Sequence, residues 1–188
     1  MKVVEIFESM QGEGHWMGIQ CTFVRLAGCN LKCPFCDEAS KYEKAEEMSI
    51  GRIMCECKTN HVVITGGEPT ITKDYDLLIT SLQNEGKRVH IETNGTNPIY
   101  NEGLWITVSP KGPKYVCKTR YDEMKLVVDE DITMEQAMAL WNGSTHIWLQ
   151  PCDGPWIEES KKKIVDWIQQ QPNVFRAGIQ LHKWYEVV

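Results

Sequence analysis

The chain has 188 residues, 42% of them hydrophobic, and carries a formal net charge of −6 from 20 basic and 26 acidic side chains. That length supports one domain over residues 1–188 with a real apolar core, and the mild acidity argues against a nucleic-acid partner. No apolar run is long enough to span a membrane and no signal-peptide pattern opens the chain, so the expected setting is the cytoplasm, where the eight cysteines stay reduced.

Val3 to Phe7 reads as a short strand, and Glu8 to Gly14 as a polar, glycine-bearing loop in which Gln11 and Glu13 can offer hydrogen bonds to a ligand. Cys21 to Leu26 is rich in β-formers and carries Arg25 inside an apolar run. A buried arginine needs a partner, either a protein carboxylate or an anionic ligand. Directly after it come Cys29, Cys33 and Cys36 in a C-x₃-C-x₂-C array. Three thiolates can hold three irons of a [4Fe–4S] cluster, which ordinarily takes four cysteines, and so leave one iron open for a small molecule. A zinc knuckle is the competing reading, but it calls for a fourth Cys or His at local spacing, and none follows Cys36. Asp37 and Glu38 end the loop as an adjacent carboxylate pair. Such a pair can ligate Mg²⁺ or simply be solvated.

Farther along, helix and strand patterns alternate. Met48 to Lys58 is a helix with Ser49 as N-cap, and His61 to Thr65 is a buried strand ending at Gly66-Gly67-Glu68-Pro69. Asp74 to Gly86 is an amphipathic helix with Leu77, Leu78 and Leu82 on its apolar face. Strands follow at Arg88–Glu92 (before Thr93-Asn94-Gly95), Trp105–Val108 (before Ser109-Pro110-Lys111) and Met124–Val128, which carries Lys125. Thr133 to Trp141 is a helix, His146 to Leu149 a strand before Gln150-Pro151-Cys152-Asp153, and Glu158 to Gln170 a helix whose apolar face is marked by Ile157, Ile164, Val165 and Ile168. A last strand spans Val174 to Leu181, with His182 and Lys183 after it. Trp105, Trp148 and Trp167 fit core positions, and Trp184 and Tyr185 fit the core, the site or an interface equally.

Strands alternating with helices make an α/β fold with a parallel sheet and right-handed crossovers. Ligands bind such sheets beyond the carboxyl ends of the strands. Each polar motif falls on that side, which points to one shared site. A full (β/α)₈ barrel takes about 250 residues, so the expected architecture is an incomplete, TIM-like barrel, with a doubly wound sheet as the alternative. Cys21, Cys55, Cys57, Cys117 and Cys152 read as packing or surface thiols.

The cysteine triplet with Phe35 before its last member, together with Gly66-Gly67-Glu68-Pro69, resembles the radical S-adenosylmethionine superfamily. A closer resemblance runs over nearly the whole chain. Phe7 to Gly14, Phe23-Val24-Arg25, Gly28 to Leu31, Cys36-Asp37, Thr65 to Pro69, Glu92 to Gly95, Ser109-Pro110-Lys111, Leu149-Gln150-Pro151 and Gln180 with His182-Lys183 look like the 7-carboxy-7-deazaguanine synthase family. That family turns 6-carboxy-5,6,7,8-tetrahydropterin into 7-carboxy-7-deazaguanine and releases ammonia, a step toward 7-deazapurines such as queuosine. The resemblance implies a radical SAM core, a [4Fe–4S] cluster, S-adenosyl-L-methionine, Mg²⁺, a homodimer and a flavodoxin or ferredoxin as electron donor.

Carried over by position, Cys29, Cys33 and Cys36 would hold the cluster. Phe35, Cys36, Asp37, Gly67, Glu68, Asn94, Ser109, Pro110, Lys111, Gln150 and Pro151 would lie on S-adenosylmethionine. Met10, Gln11, Gly12, Glu13, Arg25, Thr65 and His182 would meet the pterin, and Arg25 suits the substrate carboxylate. The family has a Mg²⁺-binding Thr where this chain has Glu38, so the resemblance makes Glu38 the metal ligand in its place. A radical activase acting on a partner protein would share the cysteine and Gly-Gly-Glu-Pro motifs but has no need of the Gln11–Glu13 loop or of His182. A cluster-bearing electron carrier or a zinc-binding interaction module leaves Gly-Gly-Glu-Pro and Ser-Pro-Lys unexplained.

Overall fold

A computed structural model describes residues 1–33, 36, 39–111 and 117–187, apart from the side chains of 39–41. Strands β1 (Lys2–Met10) and β2 (Gln20–Leu26) form an antiparallel hairpin in which Glu5 pairs with Arg25 and Phe7 with Phe23. The two-residue β3 (Glu46–Glu47) lies antiparallel along β1. From β2 onward every pairing is parallel, through β4 (His61–Gly66), β5 (Arg88–Thr93), β6 (Trp105–Val108), β7 (Glu123–Val128), β8 (Ile147–Pro151) and β9 (Phe175–Ala177).

The strand order is β3-β1-β2-β4-β5-β6-β7-β8-β9, and the edge strands β3 and β9 do not pair with each other. The sheet is therefore the expected incomplete barrel, with one correction: its first two pairings are antiparallel. The cause is connection length. Residues 11–19 are too few for a crossover, which needs about a dozen residues or more. A second correction follows, because Glu8 to Met10 belong to β1 and the loop begins only at Gln11.

Helices α1 (Ile50–Glu56), α2 (Tyr75–Asn84), α3 (Met134–Ala139) and α4 (Ile157–Gln170) lie between strands and α5 (Leu181–Trp184) follows β9, with 3₁₀ turns at Ala39–Lys44 and Pro69–Ile71. Ser49 caps α1 by accepting from the Arg52 N–H, as its position foretells, and Thr133 closes a capping box with Gln136 on α3. On α2 the buried face is Leu78, Ile79 and Leu82, while Leu77 is 53% exposed. Leu77 and Leu78 are neighbours about 100° apart around the axis, and Leu78 is the one that shares a stripe with Leu82. The same geometry turns Val165 outward on α4 and seats Ile164 and Trp167 against the sheet. Fully burying side chains such as Leu78 and Leu82 contributes about 2 kcal/mol each.

The last strand is shorter than its apolar run. It stops at Ala177; Gly178 follows, its N–H on the Leu149 carbonyl at 2.8 Å, and α5 begins at Leu181. Trp167 joins the core, Trp105 and Trp148 are half-buried, and Trp184 and Tyr185 lie outside it, 83% and 60% exposed.

At the amino end of the strands the barrel interior is filled with rings. Trp16, from the β1–β2 loop, packs edge-on to His90 and Trp105 at 5.4 Å, and His15 stacks on Trp105 at 4.9 Å. His61 and His90, on adjacent strands, share a hydrogen bond of 2.9 Å between Nδ1 and Nε2. Burial, with the charges of His61 and Arg88 beside it, pushes His90 down to about 4.

Candidate active site

The opposite, carboxyl end of the strands opens into a cavity of about 500 Å³. Every parallel strand sends something into it: the cysteine loop after β2, Gly66 and Gly67 at the end of β4, Thr93 and Asn94 at the end of β5, Ser109 and Lys111 after β6. Val127 on β7, Gln150 to Asp153 at and beyond the end of β8, and Gln180 with His182 and Lys183 after β9 complete the ring. The sequence motifs thus converge as the rule for parallel sheets requires.

Cys29, Cys33 and Cys36 are all free thiols facing this cavity. The Cys36 N–H donates to the Cys33 carbonyl at 3.2 Å, and the Leu31 N–H points at the Cys29 sulfur at 3.4 Å. Burial pushes the Cys33 thiol up, against the pull of the Lys111 ammonium. Among the described residues, no three His, Cys, Asp or Glu side chains stand close enough to share one metal ion. Three thiols on one cavity wall, next to a cation and a glycine-walled slot, fit a [4Fe–4S] cluster with an open position.

The slot is a matter of close approach. A Cβ on Gly67 would lie 1.8 Å from the Gly28 carbonyl oxygen, so only glycine lets β4 end against the cysteine loop. Glu68 follows on the turn after β4. Its carboxylate is fully buried and accepts from the Thr70 N–H and hydroxyl, from the Thr93 hydroxyl at 2.7 Å and from the Asn94 N–H at 2.6 Å. It clamps the ends of β4 and β5 together and does not line the cavity. Asn94 does line it, held by Asn30 at 2.9 Å. Lys111 donates to Ser109 at 2.8 Å, while Pro110 between them is buried off the cavity.

Arg25 borders the cavity and has a protein carboxylate beside it: its Nε–H meets Glu5 at 2.7 Å across the hairpin. The guanidinium also lies 5.6 Å from the centre of the Phe7 ring, which stacks on Phe23. Met10, Gln11, Gly12, Glu13, Thr65 and His182 all line the same space. Gly12 is again forced, since a Cβ there would lie 2.0 Å from His182 Nδ1. Phe35, Asp37 and Glu38 lie outside the described residues.

Sequence reasoning passed over Glu5, Glu92 and Lys125 as site residues. Lys125 forms ion pairs with Glu13 at 2.6 Å and Glu92 at 3.2 Å. Burial alone would lift the Glu13 carboxyl, but Lys125, with help from Gln180, holds it down at about 2. Burial likewise works against the charge on Lys125, and Glu13 and Glu92 hold its pKa far above the ordinary lysine value. Lys111 moves the other way, lowered by burial and by the nearby Lys125 charge. The signal was available in the pattern: a charge inside an apolar strand, the same sign that singled out Arg25. Cys152, expected as a packing or surface thiol, also reaches the cavity. Beside it, Lys183 pairs with Asp153 across the mouth.

Comparisons with known proteins agree with this geometry. The model of the Radical SAM superfamily matches residues 24–113, from β2 through the Ser-Pro-Lys loop, so the open barrel with its cysteine loop is a radical SAM fold. The 7-carboxy-7-deazaguanine synthase of Bacteroides thetaiotaomicron is 37% identical over 190 residues, covering 99% of this chain and 98% of that protein. The enzyme of the same name from Neisseria meningitidis is 35% identical over 97% of this chain and 92% of its own length. The crystal structure of QueE from Escherichia coli superposes with a TM-score of 0.80 at 26% identity, covering 96% of this chain and 94% of that one. The chain belongs to the 7-carboxy-7-deazaguanine synthase family.

Proposed function

We propose that this protein is a radical SAM lyase that converts 6-carboxy-5,6,7,8-tetrahydropterin to 7-carboxy-7-deazaguanine with release of ammonia, acting as a single domain over residues 1–188. The observation that carries this is the convergence of the three thiols, the glycine-walled slot and the Gln11–Glu13 loop on one cavity in a chain that matches these synthases end to end.

In this reading Cys29, Cys33 and Cys36 hold the cluster, and the bound cluster with S-adenosylmethionine supplies one-electron, hydrogen-abstracting chemistry. The chain's own part is positioning. Gly67 lets the cofactor lie against the end of β4, and Asn94, Ser109, Lys111 and Gln150 offer polar contacts along it. Pro151 at the end of β8 adds to these contacts, and Phe35 and Asp37 are assigned to the same cofactor by the family resemblance. Arg25, already oriented by Glu5, turns its guanidinium toward the substrate carboxylate. Gln11, Gly12 and Glu13 present mostly backbone and amide edges to the pterin, because the Glu13 carboxylate is taken by Lys125 and Gln180. Thr65 and His182 close the sides. A reactive intermediate is shielded because the ring plug seals one end of the barrel while the substrate covers the other.

Mg²⁺ belongs to the same reading. Glu38 is a hard oxygen donor in the place of the family's threonine, and its carboxylate suits Mg²⁺. A homodimer in the cytoplasm, fed by a flavodoxin or ferredoxin, completes the proposal. The exposed Trp184 and Tyr185 support a covered face in the dimer, and no described helix is long and apolar enough to cross a membrane.

The test is anaerobic reconstitution followed by product analysis. The reduced holoenzyme with S-adenosylmethionine and the pterin should yield 7-carboxy-7-deazaguanine and ammonia without any protein partner. A protein that stays colourless and iron-free after loading, or that leaves the pterin untouched, overturns the reading.

A further inference from the structure

Lys125 sits at the centre of a closed polar ring beneath the cavity. Its ammonium bridges Glu13 Oε2 and Glu92 Oε2. Glu92 accepts through Oε1 from Gln11 Nε2 at 3.1 Å, and the Gln11 side-chain oxygen accepts from the Glu13 N–H at 3.2 Å. The ring therefore runs Lys125, Glu92, Gln11, Glu13 and back to Lys125. It joins three separate pieces of backbone: β7, β5 and the loop after β1, the last at two points.

The C-terminal segment is fastened to the same ring. Gln180 donates to Glu13 Oε1 at 2.9 Å, and the Leu181 N–H donates to the Gly12 carbonyl at 2.8 Å. Gly12 and His182 are in contact as a result. The orientation of the Gln11 amide is thereby set, since its NH₂ faces one carboxylate and its oxygen faces one N–H. An amide held one way round distinguishes a donor from an acceptor on a ligand's edge; a freely flipping amide does not.

We infer that Lys125 is the positioning residue of the substrate floor. It holds Glu13 and Glu92 together so that the Gln11–Glu13 loop and the Gln180–His182 segment present fixed amide and backbone groups to the flat, hydrogen-bonding edge of the pterin. This rests on the proposed function above. It also gives a reason for a lysine in the middle of β7. Without it two carboxylates face each other over the floor, the ring opens, and the two segments separate.

The experiment uses the anaerobically reconstituted holoenzyme and compares wild type, Lys125→Met and Lys125→Arg. Breaking a buried ion pair from one side is costly, so Lys125→Met should raise KM for the pterin about 30-fold or more, while kcat falls about threefold or less. The Kd for S-adenosylmethionine should stay within about twofold. Lys125→Arg keeps a charge that spans two carboxylates and should recover at least half of the loss on a logarithmic scale. Glu13→Gln should raise KM in the wild-type background but add less than about twofold in the Lys125→Met background, because the two residues act through one contact.

A wild-type KM in Lys125→Met overturns the inference, and so does an equal worsening of pterin and S-adenosylmethionine binding, which marks a residue that only supports the fold. If Lys125→Met does not load its cluster, Glu92→Gln reads the ring from the other side. There a KM raised about fivefold with unchanged S-adenosylmethionine binding supports the inference, and an unchanged KM overturns it. A wild-type enzyme that ignores the pterin fails the proposed function itself. A normal wild type beside an unaffected Lys125→Met fails this inference alone.

Discussion

The two ends of the barrel interior are built from the same strands and finish in opposite ways. At the amino end, Trp16, His61, His90 and Trp105 fill the space with rings that touch one another. At the carboxyl end, Thr65 on β4, Glu92 on β5 and Lys125 on β7 face an open cavity, and Glu92 and Lys125 satisfy each other as an ion pair. One loop, residues 11–19, serves both. Gln11 to Glu13 form the cavity floor, and His15 and Trp16 form the plug below it. The lesson is that the substrate side of this fold is held up from beneath. A small, open barrel gains rigidity for a polar floor by packing the floor's own loop against its aromatic base.

The comparison can be broken most severely from above. Cys33→Ala removes one thiolate from the open-iron set and should abolish cluster loading, with turnover down by more than about a thousandfold; iron content and the visible absorption of the reconstituted protein check it. Arg25→Ala should mainly weaken substrate binding, with KM raised about 10- to 100-fold and the cluster unchanged. A normal KM in steady-state assays removes Arg25 from the site.

From below, Trp16→Ala should leave iron content unchanged and cost about 3 kcal/mol of stability, read as a lower denaturation midpoint. If the floor rests on the plug, the pterin KM should rise in the same variant. The mildest effect is a pH slope. His90 titrates at about 4 in the folded chain, below the ordinary histidine value of 6.5. A depressed histidine stabilises the fold fully above pH 6.5, and that contribution is lost as pH falls toward 4, reaching about 2 kcal/mol of loss at pH 5. Denaturation midpoints measured from pH 7 to pH 5 should fall in the wild type and fall less in His90→Gln. Equal slopes would assign the acid sensitivity to other groups.

Much of the site was legible before any coordinates. The cysteine spacing, Gly66-Gly67 and Ser109-Pro110-Lys111 lie at strand ends by pattern alone, and parallel-sheet geometry sends strand ends to one place. Glu68 shows the limit. Its motif points to the cofactor, and the motif alone does not reveal that the same carboxylate also accepts from the Thr93 hydroxyl and the Asn94 N–H at the end of β5, which ties two strand ends together. Leu77 and Val165 show another. Composition makes them core residues, but one step of 100° around a helix turns each outward.

The linear order of residues by itself determined the periodicities, and with them the alternating elements, the open-barrel class, the cap at Ser49 and the family to which the chain belongs. These rest on local geometry and on motifs that are contiguous in the chain. Tertiary structure alone decided that residues 11–19 fold into the barrel, that Glu5 claims Arg25, and that Lys125 binds Glu13 from a strand far along the chain. The physical reason is that a buried charge takes whichever counter-charge the packed strands bring within about 3 Å, and that pairing is set by register and closure in three dimensions, which no window along the sequence contains.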